Sequence, residues 1–182
     1  MKVSDSHIKY AKAIFNLAVR LGNEENVLTQ LSELAELYND EKFLALIKGF
    51  TFMDTPSGQK VLQEVFGKEV DKIVFNLLIT LFLSRKLPLI PRINQVYRKI
   101  YHQSKGIADI TLITARQLSK DEKASMEKTI AAKRTNKISV SYEVKPSLVG
   151  GVQYYEEGYL TDLSIQNYLQ TLKKQLISKE IN

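Results

Sequence analysis

Lys105-Gly106-Ile107-Ala108-Asp109-Ile110-Thr111-Leu112-Ile113-Thr114-Ala115 is where the rhythm of this sequence changes. Before it, apolar residues recur every three or four positions, the period of a helix. From Ile107 to Ala115 the run is rich in β-forming residues and reads as a strand. The break predicts an all-α N-terminal domain, residues 1–105, and a small C-terminal α+β domain, residues 106–182.

Working upstream, the pattern predicts a bundle of six helices. Ile8 to Leu21 carries no Gly or Pro, and Gly22-Asn23 ends it. Val27, Leu31, Leu34 and Tyr38 mark the stripe of a second helix, and a short third covers Glu41 to Lys48. Thr55 as N-cap and Pro56 at the first helical position open a fourth, which Gly67 closes. Lys68 to Lys86 reads as a fifth, followed by Pro88, and a sixth begins near Pro91 and runs to about Ser104.

Working downstream, Ser119-Lys120-Asp121-Glu122 is a capping box that starts a helix running to about Arg134. Ile138, Val140, Tyr142 and Val144 alternate with polar residues, predicting a half-buried strand that Pro146 stops. Val152 to Tyr155, a turn at Glu156-Glu157-Gly158, and Tyr159 to Thr161 predict a hairpin. Ile165, Leu169, Leu172 and Leu176 mark a closing helix.

Two of these helices are more apolar than a small bundle needs. On a helical projection of the first, Lys9, Lys12, Asn16 and Arg20 crowd onto one side and leave an apolar arc of about 240°, against roughly 100° for an ordinary surface helix. Ile8, Ala11, Phe15 and Ala18 can serve the core. Tyr10, Ile14, Leu17 and Leu21, beside small Ala13, are expected to lack a cover. The fifth helix is apolar almost all round, with a polar seam at Lys72, Asn76 and Thr80, and is expected at the centre of the bundle. Side by side, the two helices would leave an apolar groove suited to an amphipathic helix from a partner. Burial of both helices by the other four would also account for the pattern.

Bulk properties set limits on chemistry. The 182 residues carry no cysteine, which excludes disulfides and thiolate sites. The net charge of +6 is spread evenly, with 14 basic against 11 acidic residues up to Ser104 and 12 against 9 beyond it. Neither His7 nor His102 stands at metal-ligand spacing, and both read as surface residues. No phosphate loop or dinucleotide fingerprint occurs, and Gly150-Gly151 precedes a strand, so it reads as a tight bend. Asp54 and Asp162 read as helix-start residues. No catalytic, cofactor or metal site is expected. The most apolar run, Ile73 to Leu83, is too short to span a bilayer, and no leader is visible, so membrane association is expected only through partners. Basic residues gather at Arg85, Lys86, Arg92, Arg98 and Lys99, with Tyr97 and Tyr101 near them, and again at Lys133, Arg134 and Lys137. That interleaving allows an alternative, a basic RNA-binding accessory protein, although no nucleic-acid-binding motif accompanies it.

A set of short motifs carries a family resemblance. Tyr10-Ala11-Lys12-Ala13-Ile14-Phe15, the Pro56 to Lys60 helix start, and Asn76-Leu77-Leu78 through Arg85-Lys86-Leu87 occur in order along the chain. Leu112 to Ser119 follows, then Pro146-Ser147-Leu148-Val149-Gly150-Gly151-Val152 and Leu160-Thr161-Asp162-Leu163-Ser164-Ile165. The sequence thereby resembles the delta subunits of F-type ATP synthases, which correspond to the mitochondrial oligomycin-sensitivity-conferring protein. Lys145 stands where that family usually has Asp, and Leu163 where it usually has Gly.

The resemblance implies a non-catalytic stator subunit that links the catalytic head to the peripheral stalk and resists rotor torque. It implies a six-helix bundle whose first and fifth helices bind the N-terminal helix of an alpha subunit. Carried over, Tyr10, Ala13, Ile14 and Leu17 with Asn76, Ile79, Thr80 and Leu83 would line that groove. It further implies a C-terminal domain that binds the end of the b subunit, here through Gly150, Gly151, Leu172 and Leu176. A peripheral position on the cytoplasmic side of a bacterial plasma membrane is the corresponding expectation. The absence of a transit peptide favours a bacterial or organelle-encoded chain.

Overall fold

A computed structural model describes residues 5–50, 52–132, 134–156 and 158–180, with 174–180 as backbone alone. The chain divides into two compact units, residues 1–101 and 102–182.

In the first unit lie α1 (Ser6–Leu21), α2 (Glu24–Leu37), α3 (Glu41–Phe50), α4 (Thr55–Phe66) and α5 (Lys72–Leu83), then a 3-10 turn at Leu87–Leu89 and α6 (Ile90–Lys105) up to Tyr101. The stripe Val27, Leu31 and Leu34 of α2 is buried, and Tyr38 closes the row with its hydroxyl donating to Leu87 O at 2.7 Å. Burial pushes the Tyr38 phenol well above its ordinary pKa. The central element is α5: Ile73, Val74, Leu77, Leu78, Leu81 and Phe82 are buried, and it packs on α1, α2 and α4. Tyr97 of α6 is fully buried, edge-on to Phe15 of α1, and donates to Glu24 O at 3.0 Å.

Some local readings are corrected. The N-cap of α4 is Asp54, whose carboxylate accepts from Ser57 N at 3.2 Å, so Thr55 is already helical. The α5 helix begins at Lys72 rather than Lys68, because Asp71 caps it by accepting from Ile73 N at 2.8 Å. His102 is not a surface residue. It is 8% exposed, with Nδ1 2.5 Å from Asp109 Oδ1. The polar partner on the next strand lets a short helix end bury an imidazole.

In the second unit are β1 (Ala108–Thr114), α7 (Lys120–Ala131), β2 (Ile138–Val144), a 3-10 turn at Pro146–Leu148, β3 (Gly151–Glu156), β4 (Tyr159–Ser164) and α8 (Ile165–Glu180). The sheet order is β2-β1-β3-β4. β1 and β2 are parallel, in register from Ala108↔Ile138 to Thr114↔Val144, and α7 supplies the crossover that a parallel pair requires. The other pairings are antiparallel. Both halves of the Ser119–Glu122 capping box form, and Arg116 grips the Glu122 carboxylate with Nη1 at 3.0 Å and Nη2 at 2.5 Å. Leu112 and Ile110 anchor a thin core, and Tyr142 reaches from β2 to Glu127 of α7 at 2.9 Å. The helix α8 starts on Ser164, whose hydroxyl accepts from Asn167 N at 3.1 Å. Asp162 instead accepts from Ser164 N and Gln153 Nε2, so it orders the approach to the helix rather than capping it.

Candidate functional site: a furrow beside the first helix

The first helix packs on α5, and its surplus apolar surface is only partly used in doing so. Ala11, Ile14, Phe15 and Ala18 are buried, whereas Leu17 is 44%, Val19 50% and Leu21 65% exposed. Ile14, placed by the sequence on the uncovered flank, is 8% exposed and belongs to the core. The reason is that α1 packs on both α2 and α5, which together take a wider arc of it than the Ala11–Phe15–Ala18 row alone. The free edge therefore begins at Ala13 and Leu17 and extends to Leu21.

An open furrow of about 510 Å³ lies where the end of α1 meets the start of α5. Leu17, Leu21 and Ile73 give it apolar walls, and Asn23, Asp71, Lys72 and Asn76 give it a polar end. Of the expected groove residues, Leu17 and Asn76 meet in this furrow. Ala13, Thr80 and Leu83 are exposed and Ile79 is half-buried. The Thr80 hydroxyl donates to Asn76 O at 2.7 Å, so it is occupied along its own helix. Tyr10 is half-buried, with Lys86 Nζ 5.8 Å from its ring centroid. Tyr10 sits near the end of α5 and Leu21 near its start, so the two helices run antiparallel. Periodicity does not reveal the polar end of the furrow, since Asn23 and Asp71 lie between helices. An acidic residue just before an apolar helix was the available signal.

In the second unit the expected partner-binding residues divide. Gly151 begins β3 at φ +78°, and a Cβ there would stand 2.4 Å from Leu163 O. A Cβ on Gly150 would come 2.7 Å from Ile165 Cδ1. Both glycines thus let the chain pass close to the β4–α8 junction, which accounts for the bend. Leu172 is 36% exposed on α8, in line with exposed Ile165, Tyr168 and Leu169. Leu176 lies in α8, but its side chain is outside the described residues. Leu163 is 63% exposed and helps line a second open cleft of about 440 Å³ with Ile165 and Tyr168. Lys145 is exposed, and its charge adds to the hydrogen bond from Ser164 in holding the Asp162 carboxyl below its ordinary value.

The aromatic–basic interleaving does not build a nucleic-acid platform. Tyr97 and Tyr101 are buried in the first unit. Arg98 donates to Ser32 Oγ at 3.1 Å, and Arg134 is paired bidentately with Glu156. Lys133 is outside the described residues. Among the described residues no group of three or more His, Asp or Glu could hold a metal ion, and no helix is long and apolar enough to cross a membrane.

Residues 7–176 match the family model described as ATP synthase delta (OSCP) subunit. The chain is 28% identical over 170 residues to the ATP synthase subunit delta of Acinetobacter baylyi, covering 93% of this chain and 94% of that one. It is 26% identical over 164 residues to the subunit of the same name from Synechococcus, covering 90% of each. A chain of the Toxoplasma gondii mitochondrial ATP synthase hexamer, solved by cryo-electron microscopy, shares the fold with a TM-score of 0.73 at 19% identity, over 94% of this chain and 97% of that one.

Proposed function

Because the chain belongs to the ATP synthase delta (OSCP) subunit family, whose members are structural rather than catalytic subunits of F-type ATP synthase, we propose that it is a two-ended stator connector. In this reading α1 to α6 form one bundle on the catalytic head. The furrow between α1 and α5 receives the amphipathic N-terminal helix of an alpha subunit. Leu17 and Asn76 line it with Leu21 and Ile73, and Tyr10, Ala13, Ile79, Thr80 and Leu83 carry the partner's helix onward along the same two helices, with Ile14 kept in the core behind them. The second unit receives the C-terminal end of the b subunit, chiefly on the outer face of α8 around Leu172. Gly150 and Gly151 hold β3 close beside that face. The complex then carries the chain to the cytoplasmic side of a bacterial plasma membrane.

The observation that carries the reading is the exposed Leu17–Leu21 edge of α1 beside an open furrow at the start of α5. An exposed apolar edge is costly in water, and a partner's helix laid along it would remove that cost. Apolar anchors in such a groove supply most of the affinity. Two contacts on one chain raise the strength of the tether well beyond either contact, which is what resisting torque requires. Calorimetric titration of the full chain with a synthetic alpha N-terminal peptide tests the head contact. Saturable binding that persists at high salt is expected, and no heat into the high micromolar range would overturn it.

A further inference from the structure

At the polar end of the furrow, one residue, Asp71, ties together the end of α1, α2 and the start of α5. The chain leaves α1 at Gly22, which adopts the left-handed conformation (φ +65°) that glycine tolerates best, and Asn23 follows before α2 begins. Asn23 Nδ2 donates to Asp71 Oδ2 at 2.9 Å, across 48 residues. The other carboxylate oxygen, Oδ1, accepts from Ile73 N at 2.8 Å and so starts α5. The Asp71 main-chain N–H donates to Gln30 Oε1 of α2 at 2.7 Å. Both Asp71 and Asn23 are half-buried, and both line the furrow.

We infer that the Asn23–Asp71 clasp is a positioning device that fixes the width of the furrow for its helical occupant. This rests on the reading of the furrow given above. Each Asp71 oxygen accepts a hydrogen bond from within the chain, so its part is to hold the walls rather than to grip a ligand. Leu17 and Leu21 lie on the last turns of α1, and Ile73 and Asn76 on the first turns of α5. Asn23 is two residues beyond Leu21, and Asp71 is two residues before Ile73. The clasp therefore joins the two walls at the polar end of the furrow. Buried Ile73 and the Asp71–Gln30 bond hold the start of α5 against α2, and the Asn23–Asp71 bond ties that start to the end of α1. A groove already at its bound spacing spares the partner the cost of ordering it, which strengthens binding without adding a contact.

The test uses the full chain, a synthetic alpha N-terminal peptide and circular dichroism to confirm helix content. Asn23→Ala leaves the Asp71 cap of α5 in place and should weaken peptide binding about tenfold. Asn23→Asp sets carboxylate against carboxylate and should weaken it further. Exchanging the two groups, Asn23→Asp with Asp71→Asn, rebuilds an amide–carboxylate pair of the same shape and should restore near-original affinity. That rescue separates positioning from simple loss of a side chain. Should a single variant unfold, the exchanged pair still decides the matter: folded but unable to bind, it overturns the inference. Leu17→Asp serves as the control for the furrow itself. If Leu17→Asp abolishes binding while the Asn23 variants bind as the unmodified chain does, the clasp has no positioning role. If Leu17→Asp binds normally, the furrow is not the site, and the inference falls with it.

Discussion

The ring of Phe82 lies directly over Gly58, so that a Cβ on the glycine would stand 2.0 Å from Phe82 Cζ. This is how α4 comes to lie against α5, since the missing side chain lets a buried aromatic ring occupy its place. Phe50 holds the same ring edge-on, with centroids 5.6 Å apart, so the ring cannot swing aside freely. Gly58→Ala should destabilise the first unit by about 1–3 kcal/mol, although alanine is the better helix former. The loss should shrink when Phe82→Leu is combined with it. Denaturant titration followed by circular dichroism measures both, and equal losses with and without Phe82→Leu would show that this contact is not the cause.

Ile14 and Leu17 stand one turn apart on α1 and should respond in opposite ways to the same change. Ile14→Asp buries a carboxylate in an apolar core and should cost about 3 kcal/mol or more, enough to unfold the unit or nearly so. Leu17→Asp places the charge on an exposed edge and should shift stability by about 0.5 kcal/mol or less. It should nevertheless remove binding of the alpha peptide. Thermal melts of the two variants, paired with the titration, check this. A Leu17→Asp chain that melts as early as Ile14→Asp would contradict the assigned exposure.

The second unit should be the more acid-sensitive in its local electrostatics. The Arg116 guanidinium draws the Glu122 carboxyl down to about 2, aided by Ser119 N. Arg134 likewise holds the Glu156 carboxyl below its ordinary value, and Ser164 does the same for Asp162. Each folded-state value lies below its unfolded one. Their contribution is thus fully present above the ordinary carboxyl range and lost as pH falls through the folded values. For Glu122 the window runs from 4.5 down to about 2. Because Arg116 and Glu122 face solvent, salt should mute the effect. Glu122→Gln should flatten the acid limb of a stability–pH curve, and an unchanged limb would assign it elsewhere.

How much of this could be read from residues alone depends on the range of the interaction. The alternation of Ile138, Val140, Tyr142 and Val144 gave β2 its bounds, and Ser119 with Glu122 gave the start of α7, because both signals are local. The furrow was half legible. The arc of about 240° on α1 marks excess apolar surface, yet periodicity does not say which part its neighbours take, and so it puts buried Ile14 on the open flank. The pattern starts α5 too early because Asp71 reads as one more polar residue, and its partners Asn23 and Gln30 stand 48 and 41 positions away. His102 reads as a surface residue for the same reason: its polar partner, Asp109, lies across a turn that the helical pattern does not reach. The exposed row on α8 needed the fold as well, since Ile165, Tyr168 and Leu169 look like an ordinary core stripe.

The chain contains no cysteine, so a single introduced thiol reports from one place alone. Leu17→Cys and Leu172→Cys, each carrying a short photoactivatable cross-linker, can be assembled into the intact ATP synthase and irradiated. Leu17→Cys should capture the alpha subunit, and Leu172→Cys the b subunit, with mass spectrometry identifying each product. Capture of the same subunit from both positions, or of neither from Leu17→Cys in a fully assembled complex, would contradict a connector that grips the head at one end and the stalk at the other.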